Sequence, residues 1–139
     1  MAQNYYLDTS IWRDYYENRY DNLRPLGEWA FQFLKKVIEE QAVIIYSDFV
    51  EHELRKDYDS KKINSALNII LEAGLLKKIE ITPRQFKEAA ELSRERKVPY
   101  GDALHAIAAR DNKAMIIARD HHFESLEDIA PSKKPEELI

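Results

Sequence analysis

Four acidic residues carry the chemistry that this chain can be expected to perform. Asp8 follows a short β-prone run (Tyr5, Tyr6, Leu7), and Asp120 follows the apolar run Ala114 to Ala118. Pro99 and Gly101 break the preceding pattern, and Asp102 opens a new helix whose Leu104 to Ala109 stretch is almost wholly apolar, so that helix should be buried on most sides. A buried helix followed closely by a doubly buried strand reads as half of a βαβ unit. In open parallel sheets ligands bind in the crevice outside the carboxyl ends of the strands. If the strands before Asp8 and Asp120 are parallel neighbours, the two carboxylates converge there from opposite ends of the sequence. The fourth acid, Glu53, lies inside a helix. At roughly 100° per residue it falls about −60° from Val50, with Leu54 near +40°, so it shares the apolar face. A carboxylate turned toward a core is costly unless a proton, a cation or hydrogen bonds compensate it.

Taken singly, each acid has a simpler role as a turn residue, a helix cap or a favourable charge at a helix N-terminus. Gathered together they repel one another by several kcal/mol at low effective dielectric, and a divalent cation is the natural remedy. Hard oxygen donors without cysteine favour Mg²⁺ or Mn²⁺. Such a centre suits phosphodiester hydrolysis, with one metal ion or two. Ser10, Arg13 and Arg119, with His122, flank the acids and are candidates for contact with phosphate. The cations of the 94–97 run (Arg94, Arg96, Lys97) read first as a solvated face. His105, three residues after Asp102 on the same helical face, reads first as a packed, hydrogen-bonded residue, and substrate contact is its second reading.

The elements that must place these residues follow from periodicity. Ser10 can cap a helix carrying Ile11, Trp12, Tyr15 and Tyr16. Leu26 to Gln41 repeats apolar residues at helical spacing. Ala42 to Tyr46 is a buried strand ended by Ser47 and Asp48, with a helix from Phe49 and capping-box spacing between Asp48 and Glu51. Ser60 to Ala73 is a helix closed by Gly74. Leu75 to Thr82 suits an edge strand, since charges alternate with apolar residues. Pro83 opens a helix to about Lys97. An edge strand is expected near Ile129. The order β, α, α, β, α, α, β, α, α, β implies a mainly parallel sheet of four to five strands flanked by helices.

The 139 residues fit one domain, 1–139. No apolar run approaches the ~20 residues that span a bilayer, and no basic-then-apolar leader opens the chain, so a cytoplasmic protein without membrane contact is expected. The net charge of −4 argues against a broad basic surface for nucleic acid, although bound cations would reverse the field at an acidic centre. His52-Glu53 begins like a zinc-protease HExxH, but Lys56 stands where the second His would fall. Walker A, GxGxxG and GxSxG sequences are absent. A receiver- or phosphatase-type phosphotransfer domain would want a DxD near the first strand and a Lys ending a late one, and neither occurs. Trp12, Tyr15, Tyr16 and Tyr20 divide between core or protein contact and stacking on unpaired bases.

Four segments, in order, carry a resemblance: YLDTSIW around Asp8, YSDFVEHEL reaching Glu53, PYGDALHAIAA around Asp102, and ARDHHFESL around Asp120. Together, and with the KPEEL ending, they resemble the PIN domain family, and within it the small single-domain ribonucleases of VapC type. The resemblance spans essentially the whole chain. It implies a three-layer α/β/α sandwich, a Mg²⁺- or Mn²⁺-dependent endoribonuclease with Asp8, Glu53, Asp102 and Asp120 as catalytic and metal-binding residues, and frequently a homodimer restrained by a cognate antitoxin. Two positions depart from the family pattern: Ala118 stands where Thr or Ser is frequent, and His122 where an acid is frequent. A catalytically silent PIN-like module binding RNA or protein is the alternative, with Ala118 as its support.

Overall fold

The computed structural model describes residues 3–139. Its centre is β1 (Asn4–Leu7), a strand whose Tyr6 and Leu7 are fully buried. Beyond it α1 (Thr9–Glu17) and α2 (Leu26–Glu40) lead to β2 (Val43–Ser47). Next come α3 (Asp48–Leu54), α4 (Ser60–Ala73) and β3 (Leu76–Ile79), then α5 (Pro83–Arg96), α6 (Tyr100–Asp111) and β4 (Ala114–Ile117). A 3₁₀ turn over His121–Leu126, the two-residue β5 (Ser132–Lys133) and a last 3₁₀ turn over Pro135–Glu137 complete the chain.

All strand pairings are parallel, in the order β3-β2-β1-β4-β5. Strand β1 therefore lies between β2 and β4, where the winding of the sheet reverses, with Leu7 opposite Ile117. That register brings the strand ends before Asp8 and Asp120 side by side. Helices α1, α2 and α4 pack together as one layer and α5 with α6 as the other, completing the α/β/α sandwich. In α6 the seven residues from Ala103 to Ala109 are all buried, as the continuous apolar run requires.

Local chemistry explains where elements end. Thr82 and Gln85 form a reciprocal capping box ahead of Pro83, and Gly74 takes the left-handed conformation that closes α4. Strand β3 is an edge strand with its two lysines exposed. Three local expectations are corrected. Asp8, not Ser10, holds the N-cap position of α1, and the Ser10 hydroxyl turns back to donate to Asp8 Oδ2 at 2.7 Å. Ser47, not Asp48, caps α3 by accepting from the Val50 N–H; Asp48 instead accepts from the Ile81 N–H at 3.0 Å, tying α3 to the chain after β3. The last strand is Ser132–Lys133 rather than near Ile129, because the Ile129 and Ala130 amides close a turn on the Leu126 carbonyl.

Candidate functional site

Each acid owes its position to a different element. Asp8 caps the end of β1 and has one oxygen engaged by Ser10. Asp102 sits in the first turn of α6, held there by the Pro99 start of that helix. Asp120 precedes the 3₁₀ turn after β4 and accepts from the His122 amide at 2.9 Å; the turn role open to it from sequence is thus realised in one oxygen. Glu53 is the last residue but one of α3. Its Oε1 takes the Thr9 hydroxyl at 2.6 Å and lies 2.7 Å from His105 Nε2.

Two histidines knit the four together. His105 Nε2 is also 3.7 Å from Asp8 Oδ1, so this buried ring stands between Asp8 and Glu53. His122 Nδ1 is 2.7 Å from Asp120 Oδ1 and 3.5 Å from Asp102 Oδ2. Gly101 closes the gap between the groups: a Cβ there would stand 3.5 Å from Glu53 Oε2.

The electrostatics record the crowding. Burial first, then the charges of Asp8 and Asp120, push the Asp102 carboxyl up to about 6. Its Oδ2 is buried without a hydrogen-bond donor. Burial acts against the charged form of His105, but the Glu53 hydrogen bond and the carboxylates of Asp8, Glu53 and Asp102 outweigh it and raise its pKa. Burial would raise Glu53, but its bond to His105, the His105 charge and the Thr9 hydroxyl leave it below the ordinary carboxylate range.

An orphaned buried carboxylate oxygen among further acids is what a hard divalent cation satisfies, and the donor set fits Mg²⁺ or Mn²⁺. Among the described residues the donor atoms that lie within 4.8 Å of one another are those of Asp120, His121 and His122. This group is mostly exposed and supplies a single carboxylate beside two imidazoles, a donor set less suited to Mg²⁺ than one of carboxylates alone.

The flanking candidates fare differently. Ser10 is engaged by Asp8. Arg13 pairs with Asp57 and donates to the Glu53 carbonyl at 2.7 Å, on the wall of an open groove that also carries Arg19 and Lys56. Arg119 points elsewhere. It lies 3.5 Å from buried Asp14 and 2.7 Å from Glu136, over the ring of Trp29, so its charge serves the packing of α1, α2 and the chain end. Arg96 is held by Asp128. Trp12 is core, whereas Tyr20 is 66% exposed. Sequence reasoning missed Thr9, Tyr6, Ser47 and Lys56 as members of the site or its lining. Thr9 was discoverable as the residue beside Asp8; the other three have no local signal.

The PIN domain family model matches residues 5–129. No curated protein sequence matches the chain. In three dimensions it is similar to VapBC2 from Rickettsia felis bound to a DNA fragment from their promoter, with TM-score 0.69 and 18% identity, covering 95% of this chain and 98% of that one. It is similar also to a toxin-antitoxin complex from Klebsiella pneumoniae (TM-score 0.62, 19% identity, 94% and 97% covered). FitAcB from Neisseria gonorrhoeae gives TM-score 0.58 and 20% identity, with 96% and 99% covered. With the family match running from the first strand through the turn that bears Asp120 and His122, the chain belongs to the PIN domain family.

Proposed function

We propose that this chain is a Mg²⁺- or Mn²⁺-dependent endoribonuclease of VapC type, a cytoplasmic homodimeric toxin restrained by a cognate antitoxin. The observation that carries the catalytic reading is the Asp102 carboxyl, whose buried Oδ2 takes no hydrogen bond and whose pKa is raised by burial and then by Asp8 and Asp120. Antitoxin control is supported by the fold shared with chains of toxin-antitoxin complexes. No helix among the described residues is long and apolar enough to cross a membrane.

In this reading Asp8, Asp102 and Asp120 hold the ion together with Glu53. A bound divalent ion supplies Lewis acidity at the phosphoryl oxygen and lowers the pKa of its water. Glu53, with its pKa below the ordinary range, stays ionised at neutral pH and can accept a proton from the attacking water. His122 lies at the edge of the acids, where a ring N–H can donate to a phosphate oxygen. Arg13 and Lys56 line the groove beside Asp8 and can hold a phosphate of the neighbouring nucleotide.

The test is cleavage of structured and unstructured RNAs in Mn²⁺. Asp8→Asn, which is close in size to the native residue, should lose at least a hundredfold in rate while keeping its circular dichroism, and EDTA should abolish cleavage by the parent. Undiminished cleavage in either case removes the proposal. Failure of the parent to bind Mn²⁺ or Mg²⁺ at millimolar concentration would favour the non-catalytic binding module that Ala118 suggests.

A further inference from the structure

Behind the acids runs a buried line of hydrogen bonds that the proposed reaction does not use. The Val50 N–H donates to Ser47 Oγ at 3.1 Å, Ser47 Oγ lies 2.7 Å from the Tyr6 phenol, and that phenol lies 2.7 Å from His105 Nδ1. The other ring nitrogen meets Glu53 Oε1 at 2.7 Å. The line leaves α3 at its cap and returns to α3 one turn later, crossing β2, β1 and α6 on the way. Tyr6 and Ser47 are fully buried and His105 is 1% exposed. The rings of Phe49 and Tyr6 wall the imidazole at centroid distances of 5.1 and 5.4 Å.

Polar groups sealed in a core give little net stability compared with apolar side chains of the same shape, and they fix geometry when every member is satisfied. Here each member has partners on both sides: facing the Glu53 carboxylate, Nε2 carries a proton and donates, and the Tyr6 and Ser47 hydroxyls can turn to suit Nδ1. Both bonds to the Glu53 carboxylate, from Thr9 and from His105, fall on Oε1, which leaves Oε2 on the side of Gly101 and the acids.

We propose that His105 is a positioning residue: anchored through Tyr6 and Ser47 to the cap of α3, it fixes the rotamer of Glu53 and thereby the affinity of the acidic centre for a divalent cation. This rests on the metal-dependent reading given above. Partners that orient metal-binding side chains are typically worth 10- to 100-fold in affinity.

The test separates positioning from packing. The amide nitrogen of Gln reaches the place of Nε2, whereas that of Asn reaches only the place of Nδ1. His105→Gln should therefore keep Mn²⁺ affinity within about threefold of the parent, and His105→Asn should weaken it by about tenfold or more. Affinity is read by Mn²⁺ titration followed by electron paramagnetic resonance without RNA, and melting temperature is read alongside. Equal affinities in folded parent and His105→Asn overturn the proposal, as do losses in both variants that merely follow their loss of melting temperature. Should His105→Asn not fold, Tyr6→Phe and Thr9→Val take its place: each removes one hydroxyl and should weaken Mn²⁺ by about threefold, and parent-like affinity in both overturns the proposal. A parent that binds no Mn²⁺ fails at the metal-dependent reading itself, an outcome distinct from those above.

Discussion

Asp102 keeps its proton to about pH 6 because burial and two neighbouring carboxylates oppose its charge. The sign of the stability effect follows. The folded protein holds a proton that the unfolded chain releases near pH 4, so metal-free stability falls as pH rises between those values. Asp102→Asn has no such charge to lose. The variant should be more stable than the parent by roughly 1 kcal/mol at pH 7, screening water at the pocket mouth reducing the effect, and the gap should close toward pH 4. Urea titrations of both proteins across that range check it; a gap independent of pH would assign the effect to packing. Mn²⁺ affinity of the parent should fall below pH 6, since protons compete for the same oxygen. Arg119 makes a different prediction. With Asp14 only 6% exposed and itself raised by burial, Arg119→Ala should destabilise by about 2–3 kcal/mol, because a buried carboxylate loses its nearest cation. In Mn²⁺, RNA cleavage per folded molecule should be unchanged. A drop in cleavage at full stability would return Arg119 to the phosphate contacts.

At the scale of elements, the end of α1 packs closely against the start of α2. Gly27 sits at that contact. A Cβ there would fall 2.4 Å from Asn18 Cα and 2.7 Å from the Asp14 carbonyl, both backbone. The Gly27 N–H also donates to the Arg19 carbonyl at 2.9 Å. Neither backbone can yield cheaply, so Gly27→Ala should cost about 2–3 kcal/mol by overpacking. Thermal denaturation measures the loss, and a melting temperature within a degree of the parent would refute the close approach. Much of this level was readable beforehand: α2, α4, α5 and α6 announce themselves by apolar spacing, Pro83 and Gly74. The cap of α3 was misassigned because Ser47 and Asp48 are equally good caps on paper. Burial chose between them: Ser47 is enclosed and takes the Val50 amide, while Asp48 is drawn off to Ile81. The short β5 lacked a signal because two residues beside Pro131 have no periodicity.

For the whole molecule, the two ends of the chain are coupled at the sheet, since the strands before Asp8 and Asp120 lie side by side with Leu7 opposite Ile117. A ligand of the acidic centre binds the folded state and not the unfolded one. Mn²⁺ at a hundred times its dissociation constant should therefore raise global stability by about 2.7 kcal/mol. The same ion should do little for Asp8→Asn. Thermal shift with and without EDTA reads this directly, and identical shifts in both proteins would place the binding elsewhere.

The sequence by itself determined the alternation of strands and helices, the candidate acids at element ends and the family, because periodicity, caps and short ordered motifs are local properties of a chain. It also placed Glu53 on an apolar helical face, from which a compensating partner could be inferred but not named. Tertiary structure alone decided that partner. His105 and Thr9 reach Glu53 across 52 and 44 residues of sequence, and Arg119, beside Asp120 in the chain, turns away to Asp14 and Glu136. A side chain's partners are set by which strands lie adjacent and which helix covers them, and sheet order is the one property that no stretch of sequence carries on its own.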